Sequence, residues 1–125
     1  MRRRVGRNPM GDTSPAHAER RRSARKLFRK TAYLLFAGHP PIPVRTLDLS
    51  VHGLSVVGAV NPSQHATCVC QFGIPVMPAG NFRIEVQATV VESILSGSDG
   101  GFRIGLQFST ITTEVSEAIK KFLAA

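Results

Sequence analysis

The sequence has no tryptophan, one tyrosine and only two cysteines in 125 residues. Such scarcity of large aromatic rings argues against a surface that stacks nucleic-acid bases. Cys68 and Cys70 lie one residue apart in a strand-like run, and two cysteines are too few for the disulfide framework of a secreted protein. We therefore expect reduced thiols and a cytoplasmic protein. No apolar run reaches the roughly 18 residues of a membrane span, and none follows Arg2–Arg4 to make an export signal, so we expect neither insertion nor secretion.

Positive charge is abundant but confined to one end of the chain. The formal net charge is +8, and residues 1–30 hold 11 of the 16 Lys and Arg residues beside only Asp12 and Glu19. That stretch therefore carries +9, and the remaining 95 residues carry −1. A near-neutral body with a basic leader favours an anionic partner that meets one end of the molecule. Residues 1–19 contain almost no large apolar side chain, so we predict a disordered basic arm there.

From Thr31 onward the dominant pattern is alternation of apolar and polar residues, which is typical of half-buried strands. Six short segments share it, separated by Gly, Pro and Asn turns. Their apolar positions are Ala32, Leu34 and Phe36; Leu47, Leu49 and Val51; Leu54 and Val56; Cys68, Cys70 and Phe72; Ile84, Val86, Ala88 and Val90; and Phe102, Ile104, Leu106 and Phe108. Six strands with close turns and no helix between them predict a mainly all-β protein, an antiparallel barrel or sandwich.

The period then changes near the C-terminus. Val115, Ile119 and Phe122 fall at helical spacing, which predicts a short α-helix over 112–124 with a cap at Thr112 or Thr113. The resulting organisation is a disordered arm at 1–19 and one folded domain at 20–125. Within that domain, 20–30 is an arginine-rich loop, 31–110 the β-structure and 112–124 the helix.

The second predicted strand has a polar face that is suited to binding. If Leu47 and Leu49 face the core, alternation places Asp48, Ser50 and His52 outward. Asp48 offers only acceptors, which suits the N–H donor edge of guanine, and the Ser50 hydroxyl donates or accepts. Gly53 follows where the chain must turn, and we expect it to supply a positive φ.

Two arginines just before the first strand add the complementary chemistry. Arg25 and Arg29 are four residues apart, and each guanidinium can fork onto a phosphate, bond guanine O6 and N7, or stack on a purine. Arg21 and Arg25 have the same spacing, but the 25/29 pair directly abuts the apolar strand.

Arg25-x-x-x-Arg29 followed by Asp48-x-Ser50-x-x-Gly53 resembles the paired RxxxR and (D/N)xSxxG motifs of PilZ domains. The closing segment, residues 102–108 and then a helix, also looks like the end of that family's barrel, so the resemblance spans about residues 20–123. It implies a six-stranded antiparallel β-barrel, bound cyclic di-GMP and no enzyme activity.

By this resemblance, Arg25 and Arg29 would hold the phosphates and guanines of cyclic di-GMP, while Asp48, Ser50 and Gly53 would shape a guanine pocket. Ordering of the arm over its ligand would then create a surface for an unidentified downstream protein in motility, biofilm or virulence control.

Several alternatives compete with this hypothesis. The arginines suit a solvated basic arm, and Gly53 suits an ordinary hairpin. The chain could also be a PilZ-like interaction module without ligand, or bind nucleic acid through residues 1–30, although a nucleic-acid partner is disfavoured by the near-neutral body. Asp48, Ser50 and His52 stand parallel on one strand and do not converge as a catalytic triad. His65, Cys68 and Cys70 lie in one segment and do not make a closed metal site.

Overall fold

A computed structural model describes residues 25–125. The predicted arm at 1–19 and the first part of the predicted loop, 20–24, including Arg21, lie outside the described residues. None of the helical structure that is described is long and apolar enough to cross a membrane.

Seven strands and one helix make up the described chain. They are β1 (Lys26–Leu27), β2 (Thr31–Leu35), β3 (Ile42–Leu49), β4 (Gly53–Gly58), β5 (Thr67–Pro75), β6 (Asn81–Ser96), β7 (Gly101–Thr110) and α1 (Thr113–Ala124).

All neighbouring strands are antiparallel, and the sheet closes on itself. The order is β1-β3-β2-β5-β6-β7-β4, and β4 pairs again with β3, so six strands form a closed barrel. This confirms the predicted barrel with its C-terminal helix. β1 is an addition that the sequence did not predict, because it lies inside the segment 20–30 that we expected to be a loop. It pairs with the C-terminal end of β3, and its two residues are too few to show a periodic pattern.

Alternation along the strands fills the barrel interior with aliphatic side chains. Ile84, Val86, Ala88 and Val90 of β6 are all buried, as the pattern predicted. Cys68 and Cys70 of β5 lie on the same inner face and are both buried and free, so the thiols are core residues.

Strand β3 starts earlier than the apolar pattern indicated, at Ile42 instead of near Leu47. Pro43 is tolerated inside it because at that point β3 pairs with β2 alone, and β4 joins only from Arg45. The β3–β4 register shifts between Thr46 and Asp48. This bulge buries Thr46 and Leu47 together and returns Asp48 to the outer face.

Helix α1 covers one end of the barrel. The Thr112 hydroxyl accepts the N–H of Val115, which confirms the predicted N-cap. Ile119 is fully buried, and Phe122 packs edge-to-face on Phe28 with ring centroids 5.4 Å apart. Phe28 also contacts Phe72 of the barrel core at 5.9 Å, so one ring joins the helix, the barrel and the segment that carries the paired arginines.

Candidate functional site

Pairing of β1 with β3 brings the first arginine to the predicted carboxylate. Leu27 lies opposite Asp48 in this ladder, so Arg25 is held beside the outer face of β3. The Arg25 guanidinium forms an ion pair with the Asp48 carboxylate at 2.5 Å. Their side chains remain 38% and 32% exposed, so both groups are accessible to a ligand. An exposed pair of this kind contributes about 0–1 kcal/mol, so a ligand that replaces it loses little.

A buried hydroxyl fixes the segment that carries Arg29. The Thr46 hydroxyl accepts the N–H of Lys30 at 2.7 Å and donates to the carbonyl oxygen of Phe28. The Thr46 N–H donates to the Lys30 carbonyl at 2.8 Å, and the Phe28 N–H donates to that of Leu47 at 2.9 Å. Arg29 is thus held between two anchored neighbours and remains exposed. Sequence analysis missed Thr46, because alternation from Leu47 places it outward and only the bulge turns it inward.

A second acidic group, Asp99, lies at the tip of the β6–β7 hairpin, and the charge of Arg29 acts on it. Asp99 accepts hydrogen bonds from the Ser96 hydroxyl at 2.8 Å and from Arg103 at 3.0 and 3.2 Å. The Ser96 and Arg103 hydrogen bonds hold the pKa of Asp99 below its usual value, and the charge of Arg29 adds to this effect. Arg45 donates to the Asp99 main-chain carbonyl at 2.8 Å. Asp99 is therefore contacted by arginines of two strands, Arg45 of β3 at its main-chain carbonyl and Arg103 of β7 at its carboxylate.

The expectation that Ser50 lies on the outer face is wrong. Ser50 is fully buried, and its hydroxyl accepts the main-chain N–H groups of His52 at 3.1 Å and Gly53 at 3.2 Å. The physical reason is that β3 ends at Leu49, so strand alternation no longer applies to Ser50. Its side chain instead closes the tight turn into β4, a common use of serine. Ser50 therefore supports the turn between β3 and β4 from a buried position and is not part of the exposed surface of the candidate site.

The expected positive φ at Gly53 is also wrong. The residues with positive φ in the described chain are His65, Gly38, Gly80 and Gly100. Gly53 is required for a different reason: a Cβ atom there would lie 2.1 Å from the carbonyl oxygen of Leu106 on β7. The glycine allows β4 to approach β7 closely enough to pair with it at the point where the barrel closes.

The assembled surface is cationic and contains two carboxylates, Asp48 and Asp99. Arg25, Arg29, Arg45 and Arg103 face Asp48 and Asp99, so these six groups carry a net +2. Next to Arg45 lies an open cavity of about 290 Å³, lined in part by Thr31, Val57 and Gly100. Guanidinium groups supply bidentate donors to phosphate, and a carboxylate accepts the N–H edge of a purine. Such an arrangement is chemically able to bind an anion through its guanidinium groups and an N–H donor edge through a carboxylate.

The structure also places the remaining candidate groups. His52 is exposed and Ser50 buried, so with Asp48 they do not converge. Among residues 25–125, no three His, Cys, Asp or Glu side chains come together in a way that could hold a metal ion. The hydrogen bond with Cys68 and burial raise the pKa of the Cys70 thiol.

Comparison with known families gives the class of this protein. The model of the PilZ domain matches residues 19–125. This range includes both motifs, all seven strands and α1. The chain belongs to the PilZ domain family. No curated protein matches it significantly.

Solved structures with the same fold agree. The chain is similar to the inhibitor of motility MotI/DgrA from Bacillus subtilis, with a TM-score of 0.73 and 15% identity, over 82% of this chain and 49% of that one. It is similar to the PilZ domain, with c-di-GMP, of YcgR from Escherichia coli, with a TM-score of 0.61 and 15% identity, over 84% and 89% of the two chains. It is also similar to the K. pneumonia MrkH–c-di-GMP complex, with a TM-score of 0.62 and 17% identity, over 82% of this chain and 50% of that one. The chain thus spans about half of MotI and MrkH, and at these identities the likeness establishes the fold.

Proposed function

We propose that this protein is a receptor for cyclic di-GMP, which it binds on the outer wall of the barrel between Arg25, Arg29 and Asp48. The observation that carries this proposal is the contact of Arg25 with Asp48, which joins the two motifs on one accessible surface. The PilZ domain of YcgR and MrkH were both solved with c-di-GMP, which supports the choice of ligand.

The roles of the five motif residues divide into contact and support. Arg25 and Arg29 bind phosphates and guanine edges or faces, and Asp48 accepts from the N1–H and N2–H₂ donors of a guanine. The guanine donors take the place of the Arg25 guanidinium, which is released to meet the ligand's negative charge. Ser50 and Gly53 shape the pocket without touching the ligand, because one is buried in the turn and the other is pressed against β7.

The residues between Arg25 and Arg29 contact helix α1, so a change in this segment on ligand binding is transmitted to the helix. The Lys26 ammonium donates to the carbonyl oxygens of Phe122 and Ala125, both at 3.0 Å, and lies 4.5 Å from the Phe122 ring centroid. Phe28 packs on the same ring. A shift of this segment onto the ligand therefore moves the groups that hold the end of α1. A downstream protein that reads this helix, together with the ordered arm, would detect the bound state.

This function requires no reaction at the site, so we propose a receptor without enzyme activity. The buried, free thiols of Cys68 and Cys70 suit a reducing compartment, which supports a cytoplasmic location.

The decisive experiment is calorimetric titration of the full chain with cyclic di-GMP, in parallel with GTP and a short DNA duplex. We expect a dissociation constant of about 1 μM or tighter for cyclic di-GMP. Arg25→Ala and Arg29→Ala should each weaken it at least about tenfold, because each removes a charge-assisted contact of about 1.5–3 kcal/mol. Arg83→Ala is the matched control, because Arg83 is an exposed arginine on β6 away from this wall and should leave the affinity unchanged.

The same titration separates the competing functions. If saturating cyclic di-GMP produced neither heat nor a shift in melting temperature with the folded wild-type protein, the proposal would be wrong. The remaining function would be that of an interaction module without ligand. If the protein instead bound the duplex with steep salt dependence, and Arg29→Ala left the affinity for the duplex unchanged, the basic leader would be a nucleic-acid binding segment.

A further inference from the structure

Strand β6 is longer than its partner β5, and within residues 25–125 no strand covers the last part of one of its edges. The β5–β6 ladder ends at the pair of Thr67 and Thr89. The preceding loop continues the coverage for two residues: Val90 exchanges main-chain hydrogen bonds with His65 and Ala66 at 2.8 Å, and Gln64 donates to the Val91 carbonyl at 3.2 Å. Beyond Val91, no strand within residues 25–125 pairs with this edge of β6.

The hydrogen-bond pattern of the barrel determines which main-chain N–H and C=O groups of β6 point to this open edge. The Phe108 N–H donates to the His52 carbonyl at 2.8 Å, so the main-chain groups of Phe108 face the β4 side of β7. Alternation directs those of residues 101, 103 and 105 to β6. Their partners there are Glu92, Ile94 and Ser96.

Ser93 and Leu95 therefore direct their N–H and C=O groups away from β7, toward the open edge. Two donors and two acceptors lie in one row. Open edges of this kind are usually protected by lysine, proline or an inward charge. Residues 93–98 contain none of these.

Exposed apolar side chains flank the same edge. Val91, Ile94 and Leu95 are 41%, 55% and 71% exposed. Ile94 lies on the outer face of the ribbon, opposite Arg103, and Leu95 lies on the other face. An apolar side chain on each face, beside unpaired main-chain groups, is a surface that suits addition of a further strand.

We propose that this edge, Glu92–Ser96, pairs with the same edge of a second copy of this chain to form a two-fold symmetric dimer. A two-fold axis at Ile94 places Ser93 of each copy opposite Leu95 of the other, and the two pairs exchange four main-chain hydrogen bonds. The two Ile94 side chains then meet at a position without hydrogen bonds, where side chains approach most closely.

Charge fits this register. Glu92 is the only charged residue between Val91 and Ser98. A two-fold axis at Ile94 places it opposite Ser96 of the second copy, so the two carboxylates lie at opposite ends of the ladder and like charges do not face each other. The strand contact alone is smaller than the roughly 1,200–2,000 Å² of stable complexes, so the dimer dissociates on dilution.

Sedimentation velocity over a range of protein concentration tests the dimer. We expect reversible dimerisation that Ile94→Lys weakens at least about tenfold, because it places two ammonium groups against each other at the axis. Met77→Lys is the matched control: Met77 is 86% exposed at the β5–β6 hairpin, and its substitution should leave dimerisation unchanged. Ile94→Lys should bind cyclic di-GMP like the wild type, so loss of the dimer and loss of the proposed receptor function are distinguishable.

Cross-linking tests the register. Ile94→Cys should form a disulfide between copies in oxidised glutathione, because facing residues at such a position have Cα atoms about 4.5 Å apart, within the range of disulfides. Met77→Cys, similarly exposed, should cross-link much more slowly. A protein that stays monomeric at all concentrations, or cross-links equally at both positions, overturns the proposal. So does amide protection of Ser93 and Leu95 that is complete in the monomer, since residues 1–24 would then cover the edge.

Discussion

Gly53 lies where β4 and β7 approach most closely. A methyl group at this position would overlap the Leu106 carbonyl oxygen at 2.1 Å, and that oxygen belongs to a strand held on both sides. We expect Gly53→Ala to lower the free energy of unfolding by at least about 1–3 kcal/mol, the usual result of overpacking, with weaker cyclic di-GMP binding as the wall moves. Urea denaturation gives the first quantity and calorimetry the second.

The chain supplies a matched control in Gly73 of β5. A Cβ atom there would meet its nearest neighbours at 3.8 Å, an ordinary contact, and its backbone has no positive φ. Gly73→Ala should leave stability equal or slightly higher, because alanine restricts the unfolded chain more than glycine. Equal effects of the two substitutions would contradict the close-approach explanation for Gly53.

At this scale the sequence predicted the proximity of two residues correctly and the geometry of two others wrongly. Arg25 and Asp48 were expected at one site and are in contact. Ser50 and Gly53 were assigned geometry that the structure contradicts, because alternation was extended past Leu49 into a turn, and because close approach to Leu106 depends on a strand about 50 residues away in the sequence. Thr46 had no local signal, since only the bulge beside it turns its hydroxyl inward.

The last turn of α1 is stabilised by a side chain from the other end of the described chain. Lys26 places a positive charge among C-terminal carbonyls, where both hydrogen bonding and the helix dipole favour it. Lys26→Met keeps the apolar stem and removes the charge. We expect a loss of about 1 kcal/mol in stability and faster amide exchange in the last turn of α1.

Lys120→Met is the control for this prediction. Lys120 is an exposed residue of α1 that pairs only loosely with Glu117, at 3.7 Å. Its substitution should leave exchange in the last turn near the wild-type rate. If Lys26→Met left both exchange and the response of α1 to cyclic di-GMP unchanged, Lys26 would not connect the ligand segment with the helix.

Strands and helices were predictable from the sequence where a long apolar–polar pattern lay within one continuous segment. The alternation in β6 and the cap and spacing of α1 predicted both correctly. The early start of β3 was missed because prolines at 40, 41 and 43 indicate a loop, and Pro43 is tolerated only by its place beside β2. β1 was missed because two residues carry no period, and its pairing is set by Thr46 and by the aromatic contact of Phe28.

On the scale of the whole molecule, charge and core occupy separate parts of the sequence. Residues 1–30 carry a net +9, whereas the body that forms most of the barrel is near neutral. This division leaves the barrel free to fold without strong self-repulsion, and the described part of the leader places Arg25 against Asp48. The proposed ligand surface combines Arg25 and Arg29 of the leader with Asp48 of the barrel wall, so neither part alone supplies both the cations and the acceptor.

The two thiols report on the integrity of the closed barrel. Cys68 and Cys70 are 5% and 0% exposed inside it. The hydrogen bond between them lowers the pKa of Cys68 and, together with burial, raises that of Cys70, so it is burial that keeps a reagent from both thiols. Because the sheet has no gap between β3 and β4, we expect a thiol reagent to modify them only through global unfolding, at a rate that follows the free energy of unfolding. Full modification in urea provides the reference.

Cyclic di-GMP should then slow the modification by mass action. A ligand at 100 times its dissociation constant stabilises the folded state by about 2.7 kcal/mol, which slows labelling about 100-fold when reclosing is faster than modification. At the same ligand concentration the protection should fall to about 10-fold or less in Arg25→Ala, whose thiols are equally buried but whose affinity for the ligand is at least about tenfold weaker. Rapid modification of the native protein would instead mean that the barrel opens locally between β5 and α1. Slowing by ligand in Arg25→Ala as strong as in the wild type would place the nucleotide elsewhere on the molecule.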